Sequence, residues 1–341
     1  MTKIDVQALA QRPAAPEHYP TLLSPMTLRG FELRNRVVVA PMFQFRPITE
    51  PAGVAWYRRM AAGGSAMVIV EGVKVHRFAD DLTADMLRPL ADAIREEGAL
   101  AVVQVGLSVV GDWMDPHEIP HDQVLRAIKE FAQAARVLRD AGFDGIQPHG
   151  AHAFLLGKFF MPEHNHRTDE FGGDSLENRG RLGLEIVRSI RKAVGDDLLL
   201  LYRHSPVGDE HTLEESLTFT GWLKEAGLDL LDLSPAHENE VADLCPPFRE
   251  KLSIPVIAVG EMEDPVKAET ALAENRCDLV ALGRQLIADA AWPNKIAAGE
   301  ISRITFCDKC GDGCYGRVKM GQPVYCKQWD ADEVKPFLPA G

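Results

Sequence analysis

Short apolar segments alternate with longer amphipathic segments through most of the chain. Eight apolar runs bounded by turn residues predict strands at 37–40, 67–71, 100–105, 145–147, 198–202, 230–233, 256–259 and 279–282. Because these runs are continuously apolar, they suit a parallel sheet that is covered on both faces. The intervening segments predict helices at 54–62, 83–97, 123–141, 176–194, 213–226 and 265–274. Eight successive strand–helix units predict a single (β/α)8 barrel of the TIM type.

Proline residues mark two interruptions of this pattern. Pro148 is expected to end the fourth strand, and Pro246 and Pro247 are expected to leave only a loop and a short helix in the sixth unit. The flanking segments differ in composition from the barrel. We therefore divide the chain into a Pro-rich lead-in at 1–35 that closes the bottom of the barrel, the barrel at 36–300, and a C-terminal segment at 301–341.

Composition narrows the classes of partner. The chain has 341 residues, of which 46% are hydrophobic and 26% charged, and a formal net charge of −13. Nucleic acids and anionic membranes bind clustered Lys and Arg, so we expect neither as a partner. There is no apolar run of membrane-spanning length and no apolar signal-peptide core at the amino terminus, which predicts a cytoplasmic protein.

Four of the six cysteines fall in the last tenth of the chain. Cys307, Cys310, Cys314 and Cys326 have the spacing C-x₂-C-x₃-C-x₁₁-C, which is typical of a metal site rather than of a disulfide scaffold. Four thiolates bind either zinc or an iron–sulfur cluster. Three crowded cysteines with one distant fourth favour a [4Fe–4S] cluster, with zinc and unligated thiols left open.

The segment 145–181 holds the densest group of reactive side chains. His149 and His152 follow a predicted strand with H-x-x-H spacing, so that two imidazoles can donate hydrogen bonds to one substrate oxygen. His164, His166 and Arg167 form a second basic group on the same loop. Buried structural histidines are the alternative interpretation.

The sequence HGAHAFLLGKFFMPEHNHRTDEFGGDSLENRGR from this segment resembles the signature of the Old Yellow Enzyme family of FMN-dependent ene-reductases. The resemblance is to the branch that contains 2,4-dienoyl-CoA reductase and trimethylamine dehydrogenase. It extends to LSPMTLRGFELRNRVVVAPM, VIVEG, IPVIAVGEMEDP and DLVALGRQLIADAAWPNK. It implies a flavin-dependent oxidoreductase with FMN at the carboxyl ends of the barrel strands.

The resemblance also implies a role for individual positions. The residues expected to contact FMN are Pro41, Met42, Phe43, Gly72, Gln104, Arg203, Gly260, Glu261, Gly283 and Arg284, with the backbone of Met262. Gln104 would face the flavin pyrimidine edge, and Arg203 would lie beside flavin N1 and O2. The glycines after the last two strands, with Arg284, would hold the phosphate.

His149 and His152 would hold the oxygen of an activated alkene while hydride adds to the β-carbon, which predicts an enone or an enoyl thioester as substrate. Relatives commonly place a proton-donating tyrosine where this sequence has Phe154. Tyr202, His204 and Tyr57 are substitutes that the sequence does not rank. The chain also departs from the family at Phe43, where many relatives have Cys or Thr, and in VGLSVVG after Gln104, where a basic residue is missing.

Two other functions remain open. An amine or N-methyl dehydrogenase needs a cage for a cation, which the acidic residues of HENEVAD at 237–243 could supply. An electron-relay flavoprotein subunit would explain the missing tyrosine.

A cluster beside a flavin divides a two-electron transfer into single steps. NAD(P)H could act directly, or a separate one-electron carrier such as ferredoxin or a flavoprotein reductase could exchange the electrons. A homo-oligomer also stays open. Arg167, Asp169, Glu177, Asn178 and Arg179 are expected to tie down the long loop.

Overall fold

A computed structural model describes residues 5–107, 114–235, 241–334 and 337. Eight parallel strands close into a barrel in which each strand pairs with its neighbours in the chain and the last pairs with the first. A two-stranded antiparallel hairpin precedes them. The strands are β1 Met26–Leu28, β2 Phe31–Leu33, β3 Val37–Val39, β4 Met67–Lys74, β5 Leu100–Gly106, β6 Gly145–Gly150, β7 Leu199–His204, β8 Leu230–Leu233, β9 Val256–Val259 and β10 Leu279–Leu282.

Helices cover the outside of the barrel and extend from its carboxyl-terminal end. They are α1 Val6–Ala10, α2 Pro51–Ala62, α3 Arg77–Asp80, α4 Ala84–Glu96, α5 His121–Ala141, α6 Leu155–Phe160, α7 Leu176–Val194, α8 Leu213–Glu225, α9 Pro246–Leu252, α10 Pro265–Ala273, α11 Arg284–Ala288, α12 Trp292–Ala297, α13 Arg317–Lys319 and α14 Ala331–Val334. Side-chain caps start several of them: Thr83 caps α4, Ser175 caps α7 and Thr212 caps α8. The predicted (β/α)8 barrel is confirmed.

Of the two proline expectations, the one for Pro148 was wrong. Strand β6 continues through Pro148 to Gly150, and Pro148 pairs in register with Val105 of β5. Proline lacks an N–H donor, but its carbonyl can still accept a hydrogen bond, so the ladder is weakened rather than ended. The expectation for the sixth unit is confirmed, because only a loop and the short helix α9 follow β8; Pro246 lies in the first turn of α9, where the N–H needs no intrahelical partner.

The amino-terminal hairpin closes the bottom of the barrel. Leu28 and Leu33 are buried and belong to the same apolar cluster as the barrel interior. That cluster contains Val38, Met67, Ile69, Val102, Leu199, Leu201, Leu230, Ile257 and Leu279.

None of the helices in the described part of the chain combines the length and the apolar character that a membrane-spanning helix requires.

Candidate functional site

The inner face of the barrel changes from apolar to polar at the carboxyl ends of its central strands. Side chains alternate across a strand, so residues two apart face the same side. Val102 of β5, Leu201 of β7 and Leu230 of β8 belong to the interior cluster. Two positions further along these strands lie Gln104, Arg203 and Asp232. The top layer of the barrel interior is therefore polar, and all three of its side chains are buried.

Hydrogen bonds connect these side chains across four strands. Gln104 donates through Nε2 to Oε1 of Gln147 at 2.8 Å, and Gln147 donates to Asp232 Oδ2 at 2.9 Å. Arg203 lies beside the same carboxylate, with Nε 3.5 Å from Oδ2. Burial raises the pKa of Asp232, and the neighbouring guanidinium and amide oppose this shift.

This network fixes the direction of the Gln104 amide. Its NH₂ group is used by Gln147, so its Oε1 is directed toward Gly72, where an added Cβ would lie 3.3 Å from it. Arg203 Nε has no hydrogen-bond acceptor among the described residues, although it is buried. An acceptor from Gln104 and a donor from Arg203 are therefore available to a polar, planar ligand.

His149 and His152 lie together at the end of β6, with ring centroids 5.6 Å apart. His152 has a φ of 58° and the next residue, Ala153, one of 53°, a conformation that non-glycine residues rarely adopt. The His152 backbone N–H donates to Ser205 Oγ at 3.1 Å, and this bond holds the strained turn. Ser234 Oγ lies 2.7 Å from His152 Nε2 and accepts a hydrogen bond from Arg203 Nη2 at 2.9 Å.

Both imidazoles are neutral at physiological pH. Burial, reinforced by the charge of Arg203, lowers the pKa of His149 well below its ordinary value and that of His152 to about 3. His149 Nδ1 accepts from the Ala151 N–H at 3.4 Å, which leaves the proton of the neutral ring on Nε2. Ser234 accepts from Arg203, and its own O–H can donate to His152 Nε2, which is compatible with the His152 tautomer that carries its proton on Nδ1. Each ring thus retains one N–H donor.

Two adjoining cavities open above this polar layer. The first, of about 240 Å³, lies over β9, β10 and the end of β3, and the predicted phosphate-binding residues line it together with part of the predicted flavin site. Its lining includes Pro41, Met42, Arg203, Gly260, Glu261, Met262, Gly283, Arg284, Cys307 and Lys309.

The backbone around the first cavity is shaped for close approach. Gly260 has a φ of +121° and Glu261 follows with a φ of 55°, so the chain turns sharply after β9. A Cβ at Gly283 would lie 2.8 Å from Met42 Sδ, so glycine lets β10 end against the loop after β3. Glycine turns at the ends of late barrel strands are the usual place for a phosphate group.

The second cavity, of about 270 Å³, lies over β4 to β7 and is mostly apolar. Its lining comprises Pro41, Met42, Phe43, Gly72, Gln104, His149, His152, Phe154, Arg203, Arg284, Ile287, Cys314, Tyr315, Val318 and Val324. Every residue predicted from the sequence to contact the cofactor or to take part in catalysis lines at least one of the two cavities. Phe154 stacks on His149 with ring centroids 4.5 Å apart, at the place where relatives were expected to supply a phenol.

The cysteine segment packs directly on these cavities. Cys307 lines the first and Cys314 lines the second. Gln285, buried in α11, accepts from the Cys307 N–H at 3.0 Å and donates to Thr305 O at 3.1 Å. On the other side, the backbone N–H of Val324 donates to Gln44 O at 3.0 Å. The segment is thus anchored both to α11 and to the loop after β3.

The four thiols influence one another electrostatically but do not form a tight tetrahedron. Close packing of Gly313 on the backbone of Tyr325 and Lys327 brings Cys314 and Cys326 to one side of the segment. Burial raises the pKa values of Cys307 and Cys314, and Arg284 opposes the shift of both thiols. In the parts of the chain that the structure describes, His121, Asp169 and Glu170 form the one group of three ligand atoms within 4.8 Å of one another, so no three of these sulfurs do. Four thiolates around one zinc ion would be about 3.8 Å apart, whereas the thiolates of a cubane cluster bind four different irons and lie farther apart.

Several residues considered from sequence lie elsewhere. Tyr202, His204 and Tyr57 line neither cavity. Tyr202 is buried beneath Gly150. The His204 ring forms a hydrogen bond with Ser216 Oγ at 2.9 Å. The Tyr57 hydroxyl accepts a hydrogen bond from the Glu71 N–H at 3.0 Å.

The loop after β6 is held by structural contacts. Arg167 donates to the carbonyls of Pro116 and Ile119, and Arg179 pairs with Glu215. His164 lies 3.6 Å from Asp115, and His166 stacks on His117. Of HENEVAD, residues 237–240 lie outside the described residues, and Asp243 pairs with Arg276 at 2.6 Å. Part of the VGLSVVG stretch, at 108–111, is likewise outside them.

Sequence reasoning missed three residues of the site. Asp232 is a carboxylate inside the apolar strand LLDL, and Gln147 is an amide inside GIQPH, so each could have been found as a polar residue at an inward strand position. Tyr315 had no comparable signal, because its place in the second cavity depends on how the cysteine segment folds back over the barrel.

Comparison with known proteins agrees with this geometry. The family model described as the NADH:flavin oxidoreductase / NADH oxidase family matches residues 107–302. The chain belongs to this family. The expected resemblance and the expected class, a flavin-dependent oxidoreductase, are confirmed. Membership of the NADH:flavin oxidoreductase family also supports FMN as the cofactor.

Two curated members of the NADH:flavin oxidoreductase family illustrate the extent of the match. An NADH oxidase of Thermoanaerobacter brockii is 33% identical over 88% of this chain and 54% of its own length. An NADPH dehydrogenase of Geobacillus sp. (strain WCH70) is 32% identical over 80% of this chain and 92% of its own. The chain spans about half the length of several curated relatives it matches. A 2-naphthoyl-CoA reductase complex, 23% identical, superposes with a TM-score of 0.84 over 94% of this chain and 58% of the reductase, which shows the shared fold.

Proposed function

We propose that the protein is an FMN- and [4Fe–4S]-dependent oxidoreductase that adds hydride to an activated C=C bond of an enone or enoyl thioester. The observation that carries the proposal is the second cavity, where two neutral histidines lie beside Gln104, Gly72 and Arg203. Reduced FMN supplies a hydride when bound. The protein's own residues bind the cofactor, orient the substrate and stabilise the charge that develops on it.

The polar layer is suited to a flavin ring. Gln104 Oε1, whose direction is fixed by Gln147, can accept from a ring N–H, and Arg203 can donate to ring oxygen and nitrogen atoms. Its positive charge favours the anionic form of a reduced ring. Pro41, Met42 and Phe43 provide the surface along the ring. Gly260, Glu261, Gly283 and Arg284, around the first cavity, are proposed to hold the phosphate.

His149 and His152 are proposed to bind the carbonyl oxygen of the substrate. Because their pKa values are held low, they act as neutral N–H donors rather than as acids. Hydrogen bonds from preorganised donors stabilise the enolate charge that appears on this oxygen when hydride reaches the β-carbon. The apolar walls, including Phe43 and Phe154, suit a hydrophobic conjugated substrate.

The four cysteines are proposed to hold the cluster. Cys307 lines the first cavity and Cys314 the second, so a cluster held by these cysteines would supply one-electron chemistry beside the proposed flavin pocket. The C-x₂-C-x₃-C-x₁₁-C spacing, with three crowded cysteines and one distant fourth, favours a cubane cluster over zinc. The external electron source is proposed to be either NAD(P)H or a separate one-electron carrier.

An anaerobic spectrum with iron, sulfide and zinc analysis tests the cofactor content. We expect flavin bands over a broad cluster absorbance, about four iron and four sulfide per chain, and loss of the cluster absorbance in Cys314→Ser. Zinc without sulfide would overturn the cluster proposal and leave the flavin proposal intact.

Activity is tested by mixing the dithionite-reduced protein with cyclohexenone or a cinnamoyl thioester. Reoxidation of the flavin with formation of the saturated product is expected, and His149→Asn with His152→Asn should slow it by about 10²-fold or more. Reoxidation by methylated amines is not expected, since they offer no acceptor carbon. Bleaching of the oxidised flavin by NADPH alone would identify NADPH as a direct reductant. An unbleached flavin would point to a separate carrier.

A further inference from the structure

Hydride addition to an activated alkene leaves an electron pair that needs a proton. The hydride bonds to the β-carbon, the C=C electrons move toward the carbonyl, and the α-carbon of the resulting enolate must then take a proton. The position expected for a proton donor holds Phe154, whose ring has no exchangeable proton. The proton must therefore come from another group of the cavity wall or from solvent.

The groups that line the second cavity narrow the choice. His149 and His152 are neutral, and their N–H groups are assigned to the carbonyl oxygen. Arg203 and Arg284 do not give up protons in proteins. The Cys314 thiol is committed to the proposed cluster. Among the described residues around this cavity, a phenol occurs at Tyr315 alone.

Tyr315 is held in place by the cysteine segment. It lies in the π-helical turn Asp312–Gly316, directly after Cys314. The turn is closed by a hydrogen bond from the Gly316 N–H to Gly311 O at 2.7 Å and is joined to the next loop by one from the Tyr325 N–H to Gly313 O at 3.2 Å. Its backbone is thus fixed while its ring reaches the barrel mouth.

The surroundings of Tyr315 suit a proton donor that acts repeatedly. Its side chain is 61% exposed although it lines the cavity, so water can return a proton after each turnover. Lys319 Nζ lies 4.6 Å from the centroid of its ring. A positive charge therefore lies against the face of the ring.

We propose that Tyr315 is the catalytic acid that protonates the α-carbon of the substrate, in place of a residue at position 154. This inference rests on the proposed function. The Tyr315 O–H bond breaks as the α-carbon C–H bond forms, the substrate gains two electrons and a proton from hydride and one proton from Tyr315, and the flavin is oxidised. Solvent then reprotonates the phenolate.

The test compares Tyr315→Phe with the wild-type holoenzyme in the oxidative half-reaction. Both proteins are reduced with dithionite, mixed anaerobically with cyclohexenone, and followed by flavin absorbance. Tyr315→Phe should slow reoxidation by about 10²–10⁴-fold, while the oxidised flavin spectrum and its perturbation by cyclohexenone stay as in wild type. In D₂O, wild type should place deuterium at the α-carbon and show a solvent isotope effect.

Two further variants distinguish loss of the proton donor from a structural effect of the substitution. Tyr325→Phe is the matched control: this tyrosine lies in the same segment and stacks with Arg317, but it lines neither cavity, so its reoxidation rate should equal that of wild type. In the double variant Tyr315→Phe with Phe154→Tyr, a phenol at the neighbouring wall position should restore much of the rate.

The outcomes distinguish this inference from the proposed function. A wild-type protein that is not reoxidised by cyclohexenone or a cinnamoyl thioester refutes the proposed function and the inference with it. A wild-type protein that is reoxidised at the same rate as Tyr315→Phe refutes the inference alone.

Discussion

The orientation of one amide in the candidate flavin site depends on residues from two other strands. Gln104 could present either its oxygen or its nitrogen to a ligand, and Gln147 settles the matter by accepting from Nε2. Gln147 is oriented in turn by Asp232. Because all three side chains are buried, a break in this chain leaves polar groups without partners.

Gln147→Leu should therefore weaken FMN binding by roughly tenfold and destabilise the protein by about 1–3 kcal/mol. Gln104 would lose its orientation, and Asp232 would lose a donor. Titration of the apoprotein with FMN by fluorescence quenching and thermal unfolding measure the two effects. Thr220→Val is the control, since Thr220 is also buried and hydrogen-bonded but lies on α8, so it should lower stability without changing FMN affinity. Unchanged FMN affinity in Gln147→Leu would contradict the orienting role.

A histidine outside the cavities makes stability depend on pH. Burial lowers the pKa of His204 to about 3, from an ordinary value of 6.5. The folded state stays neutral at His204, while the unfolded state takes up a proton as the pH falls below 6.5. The contribution of His204 to the free energy of unfolding is therefore fully present above pH 6.5 and is lost as the pH falls toward 3. Between pH 7.5 and 5 this contribution falls by about 2 kcal/mol.

His204→Gln should remove this part of the pH dependence. Its free energy of unfolding is expected to fall about 2 kcal/mol less than that of wild type between pH 7.5 and 5, as measured by urea denaturation. Ser216→Ala is the control because it removes the hydrogen bond to His204 but keeps the imidazole, so it should retain the wild-type pH dependence. A parallel pH profile for His204→Gln would show that this histidine does not titrate as inferred.

At the scale of elements, the cysteine segment completes the barrel mouth. It contributes Cys307 and Lys309 to the first cavity and Cys314, Tyr315 and Val318 to the second. Gly313 permits this arrangement, because a Cβ there would lie 2.5 Å from Tyr325 O and 2.8 Å from Lys327 N. Both contacts are with backbone, which cannot move aside as a side chain can.

Gly313→Ala should therefore separate the Cys314 loop from the Cys326 loop and reduce cluster content. Iron and sulfide per chain are expected to fall to less than about half, while FMN binding, which relies on barrel residues, is retained. Gly221→Ala on α8 is the control, since its nearest neighbour would be Lys251 Cε at 3.8 Å. Full iron loading of Gly313→Ala would rule out the close packing as a requirement for the cluster.

In the molecule as a whole, the apolar bottom of the barrel contributes stability, and the polar top carries the candidate functional site. The hairpin β1–β2 packs its leucines into the bottom, while the polar layer and both cavities lie at the top. Burial of apolar side chains at the bottom stabilises the fold. This stabilisation offsets the cost of the strained turns and buried charges at the top.

Leu33→Ala should consequently destabilise the fold by about 2–5 kcal/mol without altering the flavin spectrum or the reoxidation rate. Its side chain is fully buried at the bottom, far from either cavity in the barrel's layers. Leu125→Ala, at a leucine that is 41% exposed on α5, should change the unfolding free energy little. A changed flavin spectrum in Leu33→Ala would show that the two ends are coupled.

The architecture and most of the candidate site can be predicted from the amino-acid sequence alone. Eight apolar runs fix eight buried strands, and parallel strands carry their carboxyl ends to one rim, so His149, Gln104 and Arg203 had to meet there. Cysteine spacing along the chain likewise located the proposed metal site. These features are local or follow from the order of elements, which is why pattern and resemblance suffice to predict them.

The way in which distant side chains combine is visible only in the folded barrel. The sequence could not show that Gln147 and Asp232 orient Gln104, because those contacts join different strands through inward positions. Nor could it place Tyr315 in the second cavity, since that depends on the cysteine segment packing over the barrel mouth. Strand periodicity determines which face a residue occupies, but the partner across that face is set by the closure of the barrel and the burial that it imposes.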